Sequence, residues 1–395
     1  MLEAIFTEHE KKEKKVEYLE LIYDLIFVYI IGRNNSLLHH IENGFVEPKL
    51  FLAYLLCTLA VIQIWTFSAY YINLYGRNSV RDHVFLFVNM FLLYFVAEGT
   101  RVHWQTYHTQ YHAAWALILA NVGLQYLIEL RHHKGEPAHV RRISRMVGIL
   151  FGEAVIVALS IPVYNVTGST LLTPIAILFG ISSVFLAGRK SSAGLVDFPH
   201  LSERAMLYVV FTFGEMIIAI AGYFEGEINV SSLYFSGMAF LIVVGLFLSY
   251  GVLYDHIIDR EMQTNGLGYI LIHIFIIFSL NNITTALEFM RDEEVRLLPK
   301  VLFLMGSFVM YYVFLFLTSR YAKRRCRFRA RLMLKVGGIS VGFLLLMLLF
   351  RNHMMINIAV TVIYVFAVFA ILYRYGKKMD TVESNVSECV TEGES

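Results

Sequence analysis

Glu20 and Asp24 stand four residues apart in a run that is otherwise almost wholly apolar, Leu19-Glu20-Leu21-Ile22-Tyr23-Asp24-Leu25-Ile26-Phe27-Val28. That spacing puts both carboxylates on one helical face, one turn apart, and Glu17 extends the stripe. Two carboxylates this close repel, so a low-dielectric site must supply a proton, an Arg or a cation to neutralise them. The chemistry on offer is proton or cation binding.

A second set lies far downstream, in His200-Leu201-Ser202-Glu203-Arg204 and then in Phe213-Gly214-Glu215 after an apolar stretch. At 100° per residue, His200, Glu203, Arg204 and Glu215 fall within an arc of about 120°. Glu215 is about 18 Å along the helix from Glu203, so the two cannot hold one ligand, although a chain of waters can join them. Glu203 reads as an entrance group and Glu215 as a buried one. An ionisable side chain deep in a bilayer costs roughly 3 kcal/mol or more, and such residues face a protein interior or a water-filled cavity. For Glu17, His200 and Arg204 the plainer role is capping and pairing at the interface. Asp24 and Glu215 lie deeper and carry the functional expectation.

Other polar residues interrupt apolar runs at comparable depth. His273 sits in Tyr269-Ile270-Leu271-Ile272-His273-Ile274-Phe275, with Asn281 and Asn282 two turns on, and Asn89 sits in Phe85-Leu86-Phe87-Val88-Asn89-Met90-Phe91. A membrane His serves as readily as interhelical glue as it does as a ligand. Asn73 and Asp255 complete a set lying mostly in one half of the bilayer. Glu98 and Glu153 are further candidates, Glu153 in a Phe151-Gly152-Glu153 triplet that recurs as Phe213-Gly214-Glu215.

The elements that must position these groups follow from composition. The chain has 395 residues, 57% apolar, 15% aromatic and 16% charged, with a mean hydropathy of +0.59. This is an all-α, polytopic membrane bundle. At about 20 apolar residues per span, about twelve helices fit. They are expected near residues 19–38, 49–73, 82–98, 111–130, 146–164, 169–187, 203–222, 232–255, 267–288, 297–318, 331–350 and 353–373. No signal peptide is recognisable in the charged opening segment, 1–15.

Basic residues set the orientation. Arg77 and Arg81, the segment Arg131 to Arg145, Arg189 and Lys190, the segment Arg320 to Lys335, and Lys377 and Lys378 all fall on one side of an even-numbered bundle. Both termini are then cytoplasmic. These loops are topology determinants beside anionic lipids rather than a nucleic-acid surface. The tail, 377–395, is acidic and polar and is expected to be disordered. Cys57, Cys326 and Cys389 are too scattered for a disulfide framework, and no Walker A, GxSxG, HExxH or dinucleotide-binding glycine pattern is present. His132-His133 is a loop pair without helical metal-site spacing. The residues identify no cofactor and no metal, and they leave the oligomeric state open.

Setting Glu20 on Glu203 aligns the chain with itself, with Tyr71 to Tyr75 beside Tyr250 to Tyr254 and Asn89 opposite His273. The expectation is two parallel halves, 16–190 and 191–376, related by an axis along the membrane normal.

The run "ELIYDLIFVYII" resembles the opening signature of the bacterial low temperature requirement A family, and "HLSERAMLYVVFTFGEMIIAI" resembles its downstream signature. Order, spacing and chain length agree over nearly the whole membrane domain. The matched polar positions are Glu20, Asp24, His200, Glu203, Arg204, Gly214 and Glu215, while Asp255 and His273 match more loosely. Where the family often carries an acid-rich run after its second helix, this chain has Asn73-Leu74-Tyr75-Gly76-Arg77-Asn78-Ser79. The resemblance implies a multi-pass bacterial plasma-membrane protein, and it says far more about fold than about activity.

The leading expectation is a proton- or cation-coupled transporter or permease, with Asp24 and Glu215 binding the ion and Glu20, Glu203 and His273 lining the cytoplasmic route. His200, Arg204, Asp255, Asn73 and Asn89 support them. One alternative is a membrane-embedded enzyme acting on a lipid-like substrate, with His200, Glu203 and Asp24 holding a metal or acting as acid and base. Another is a non-catalytic factor presenting Arg324, Arg325 and Arg327 to a cytoplasmic partner.

Overall fold

A computed structural model describes residues 14–99, 104–189, 196–221 and 229–393. Most of the opening segment and the junction expected at residues 190 and 191 lie outside these ranges. The helices are α1 (Tyr18–Asn34), α2 (Pro48–Tyr75), α3 (Val80–Glu98), α4 (Trp104–His132), α5 (Pro137–Thr167), α6 (Leu172–Arg189), α7 (Phe198–Ala221), α8 (Val230–Val252), α9 (Leu267–Phe289), α10 (Leu297–Leu317), α11 (Ala330–Leu349) and α12 (Met354–Gly393). A two-stranded hairpin, β1 (Ile41–Glu42) and β2 (Phe45–Val46), joins α1 to α2.

Among the described residues ten helices are long and apolar enough to cross a membrane, which makes the chain an all-α polytopic bundle. The sequence suggests about twelve spans at that length. α1 and α6 make the difference. α1 has 17 residues and gives way to a 3₁₀ turn at Asn35–His39, so it covers about 25 Å of a hydrocarbon core of about 30 Å. The apolar part of α6 is shorter still, Leu172–Val184.

Local chemistry sets the ends. Pro48 and Pro137 open α2 and α5, where a missing N–H costs nothing. Ser79 and Asp82 form a capping box at the start of α3. Gly168 closes α5 in the left-handed conformation, and Asn43-Gly44, both at positive φ, make the tight turn of the hairpin. α5 begins at Pro137, well before the apolar run near residue 146, because Arg141, Arg142 and Arg145 are good helix formers that simply continue the helix beyond the apolar zone. α12 likewise continues as helix through the acidic stretch to Gly393.

α1 is inverted relative to a soluble amphipathic helix. Tyr18, Ile22, Leu25 and Tyr29 are each at least half exposed, while Glu20 and Asp24 are buried. Apolar side chains face outward and the acids face protein, as a lipid environment requires. α1 packs on α2, α3 and α7, while α7 packs on α1, α2, α8 and α9. α3 packs on α4, α4 on α5, α5 on α6, and α2 on α6; in the second part, α9 packs on α10, α10 on α11, α11 on α12, and α8 on α12.

Candidate functional site

The acids of α1 meet the start of α7. His200, Arg204 and Tyr208 recur at intervals of four residues and share one face of α7, and all three are 0% exposed. The Arg204 guanidinium forks onto Asp24, with Nε donating to Oδ2 at 3.1 Å and Nη2 donating to Oδ1. Trp65 of α2 donates its indole Nε1–H to the same Oδ1 at 2.8 Å. Its ring lies 5.8 Å from the guanidinium carbon and packs against Tyr208 at 4.9 Å between centroids. Three helices therefore converge on one carboxylate, and both of its oxygens are taken. A two-pronged, fully buried pair of this kind fixes the geometry of its partners.

Glu20 is held differently. Its Oε2 stands 3.4 Å from Arg204 Nε and 3.1 Å from His200 Nε2. Neither Glu20 Oε2 nor His200 Nε2 makes an aligned hydrogen bond, so both buried atoms keep unused bonding capacity. Arg204 Nη1 and the Tyr208 hydroxyl are also buried without a hydrogen-bond partner.

The His200 tautomer follows from its other neighbour. The Asp197 N–H donates to Asn73 Oδ1 at 3.0 Å, and Asn73 Nδ2 donates to the Asp197 carbonyl at 2.8 Å. These two bonds fix which end of the Asn73 amide is nitrogen. Its Nδ2 then faces His200 Nδ1 at 3.1 Å. His200 Nδ1 must accept, so a neutral ring carries its proton on Nε2, toward Glu20.

Lys14, just before α1, donates its ammonium to the carbonyls of Ile72 and Gly76 and caps the C-terminus of α2 beside this cluster. Burial lowers its pKa, and the charge of Glu20 opposes that shift. Behind Asp24, Tyr23 exchanges a hydrogen bond with Ser68 at 2.8 Å and accepts one from Asn89 at 3.4 Å. Asn121 donates to Asn89 Oδ1 at 2.9 Å and carries the network into α4.

The remaining candidates lie elsewhere. Glu203 is half-buried and turned about 60° from His200 around the helix, and among the described residues no ion pair involves it. Glu215 is half-buried at the far end of the α1–α7 contact, against Gly32, where a Cβ would overlap its Oε1. His273 is buried in the α8–α9 contact: Nδ1 donates to the Tyr269 carbonyl at 2.9 Å, and Nε2 accepts from Tyr250 at 3.1 Å. Asp255 is exposed in a π turn and lines a polar cavity with Arg260, Lys323, Arg324 and Arg325. Glu153 is buried between α2 and α6, accepting from Gln63 at 3.2 Å, and Glu98 pairs loosely with Arg33 at 3.8 Å. Asn281 and Asn282 tie α9 to Asn35 and Tyr54 at 3.1 Å and 2.9 Å.

Sequence reasoning passed over Trp65, Tyr208, Lys14 and Asp197. One signal was available for Trp65, since Gln63, Trp65, Thr66 and Ser68 cluster within the second apolar span.

The family model described as bacterial low temperature requirement A protein (LtrA) matches residues 15–372, most of the chain. No curated protein and no solved structure matches it significantly. The chain belongs to the bacterial low temperature requirement A protein family.

Proposed function

We propose that this is a proton-coupled transporter or permease of the bacterial plasma membrane, in which Glu20 and His200 exchange the proton and Asp24 and Arg204 hold the frame around them. The carrying observation is the unequal treatment of two neighbouring acids. Asp24 has every oxygen committed to Arg204 and Trp65, whereas Glu20 Oε2 faces a His200 nitrogen at 3.1 Å without an aligned bond. A committed carboxylate is a strut, and an acid facing an imidazole is a proton-exchange pair.

The packing pattern supports two halves, 16–190 and 191–376. α1 contacts α2 and α3 as α7 contacts α8 and α9, and the pairs α3–α4, α4–α5, α5–α6 and α2–α6 have the counterparts α9–α10, α10–α11, α11–α12 and α8–α12. The site then lies where the equivalent helices α1 and α7 meet, at the axis between halves, where rocking of one half against the other alternates access. Lys14 contacts Gly76 and Asp197, Arg77, Arg81 and His133 gather on Glu129, and Tyr321 stacks on Phe198, so the basic segments around them share one end of the molecule. The positive-inside bias assigns that end to the cytoplasm and its anionic lipids.

The test is flux. Protein in vesicles carrying an internal pH dye, challenged with a panel of small solutes, is expected to move protons with one solute class. Glu20→Gln should abolish the proton movement while leaving the protein folded. Unchanged, solute-dependent proton movement in Glu20→Gln and in His200→Asn would overturn the assignment.

A further inference from the structure

The hairpin between α4 and α5 carries chemistry that the transport reading does not use. His133, Glu136 and His139 each offer one ligand atom, and these three atoms lie within 4.8 Å of one another. The turn that gathers them is tight: the Glu136 N–H donates to the His133 carbonyl at 3.0 Å, and Pro137 starts α5 at once, which lifts His139 back over the turn. The two imidazoles stack with centroids 5.2 Å apart and planes 13° apart, and His139 Nε2 is 3.5 Å from Glu136 Oε2.

Two details orient the rings as ligands. His133 Nδ1 lies 3.1 Å from the Glu129 carbonyl, one helical turn back, and donates its proton there. That leaves the Nε2 lone pair free, the arrangement in which a backbone carbonyl fixes the tautomer and orientation of a metal-bound His. His139 Nδ1 is buried with no hydrogen-bond partner. Arg81 donates to the buried Glu129 carboxylate, so that guanidinium is held on Glu129.

We infer that His133, Glu136 and His139 form a site for a first-row divalent metal ion, of the zinc class. Two imidazoles and one carboxylate are a sufficient protein donor set for zinc with a position left open for water. The inference is independent of the transport reading, because the hairpin lies outside the apolar zone and shares no residue with the α1–α7 cluster. It does adjoin that cluster: the Tyr75 ring meets His133 edge to face at 5.5 Å, two residues from Asn73.

The full-length protein, stripped with a chelator and titrated calorimetrically with Zn²⁺ alone, is expected to bind one ion per chain. The double variant His133→Ala, His139→Ala should lose at least about tenfold in affinity, and His132→Ala should lose nothing. Co²⁺ absorption bands reporting nitrogen and oxygen ligation should change in Glu136→Gln, with an unchanged gel-filtration profile as the folding control. No saturable binding by the unaltered protein, or equal affinity in the double variant, overturns the site.

Discussion

The two ends of the α1–α7 contact are built on opposite principles. At one end charge holds the helices together: Glu20 and Asp24 close on His200 and Arg204, all at 5% exposure or less. At the other end size does the work. Gly32 lets α7 approach so closely that the Glu215 carboxyl fills the space a side chain would take. The same two helices are thus clamped by an ion pair near residue 24 and by a missing Cβ near residue 32. A clamp of charge can be released by moving a proton, and a contact of size cannot. This asymmetry is why the functional reading rests on the charged end.

The largest expected effect comes from breaking the charged clamp. Arg204→Ala strands two buried carboxylates and should destabilise the protein by about 3 to 5 kcal/mol, read as a large fall in thermal midpoint in detergent. Arg204→Lys should recover only part of this, because an ammonium cannot fork onto Asp24. If Arg204→Ala melts with the unaltered protein, the two ends do not differ in kind.

A smaller effect is expected at the sterically set end. Gly32→Ala should cost about 1 to 3 kcal/mol, since the added methyl forces the Glu215 carboxyl aside. The double variant Gly32→Ala, Glu215→Ala should recover most of that loss. Equal cost in both backgrounds would show that Gly32 is needed for something other than the approach of Glu215.

The contrast between the ends was only half legible in the sequence. Glu20 and Asp24 declare an inward polar face because no lipid-facing helix affords them, and the four-residue spacing of His200 and Arg204 places those two side by side. Apolar run length located the helices but not all their ends: α1 gives way to a 3₁₀ turn after Asn34, α12 runs on to Gly393, and charged but helix-forming residues such as Arg141 and Arg142 carry α5 beyond the apolar zone. What stayed hidden depends on contacts between distant segments. Trp65 reads as one more apolar residue until its N–H meets Asp24, and the clamp of Asn73 on Asp197 joins residues 124 apart in the chain. Gly32 reads as a helix glycine until α7 arrives.

The smallest effect concerns the pH response of the sterically set end. His39, in the turn after α1, pairs with Glu288 at 2.8 Å, and the hydrogen bond to Glu288 raises its pKa. A His raised above its unfolded value near 6.5 contributes stability that is complete below that pH and is lost as pH rises through the folded value. Both partners are partly exposed, so the contribution should stay under about 1 kcal/mol. A His39→Gln variant should therefore show a flatter dependence of thermal midpoint on pH above the unfolded His value; an identical dependence would remove the pair from the account.

The central claim is that Glu20, and not Asp24 or Glu215, is the acid that exchanges a proton at the α1–α7 contact. Infrared difference spectroscopy of the protein in lipid, recorded across a pH step, tests it directly through the carboxyl C=O band. The band change is expected in the unaltered protein and in Glu215→Gln, and it is expected to vanish in Glu20→Gln. A band that persists unchanged in Glu20→Gln would contradict the account.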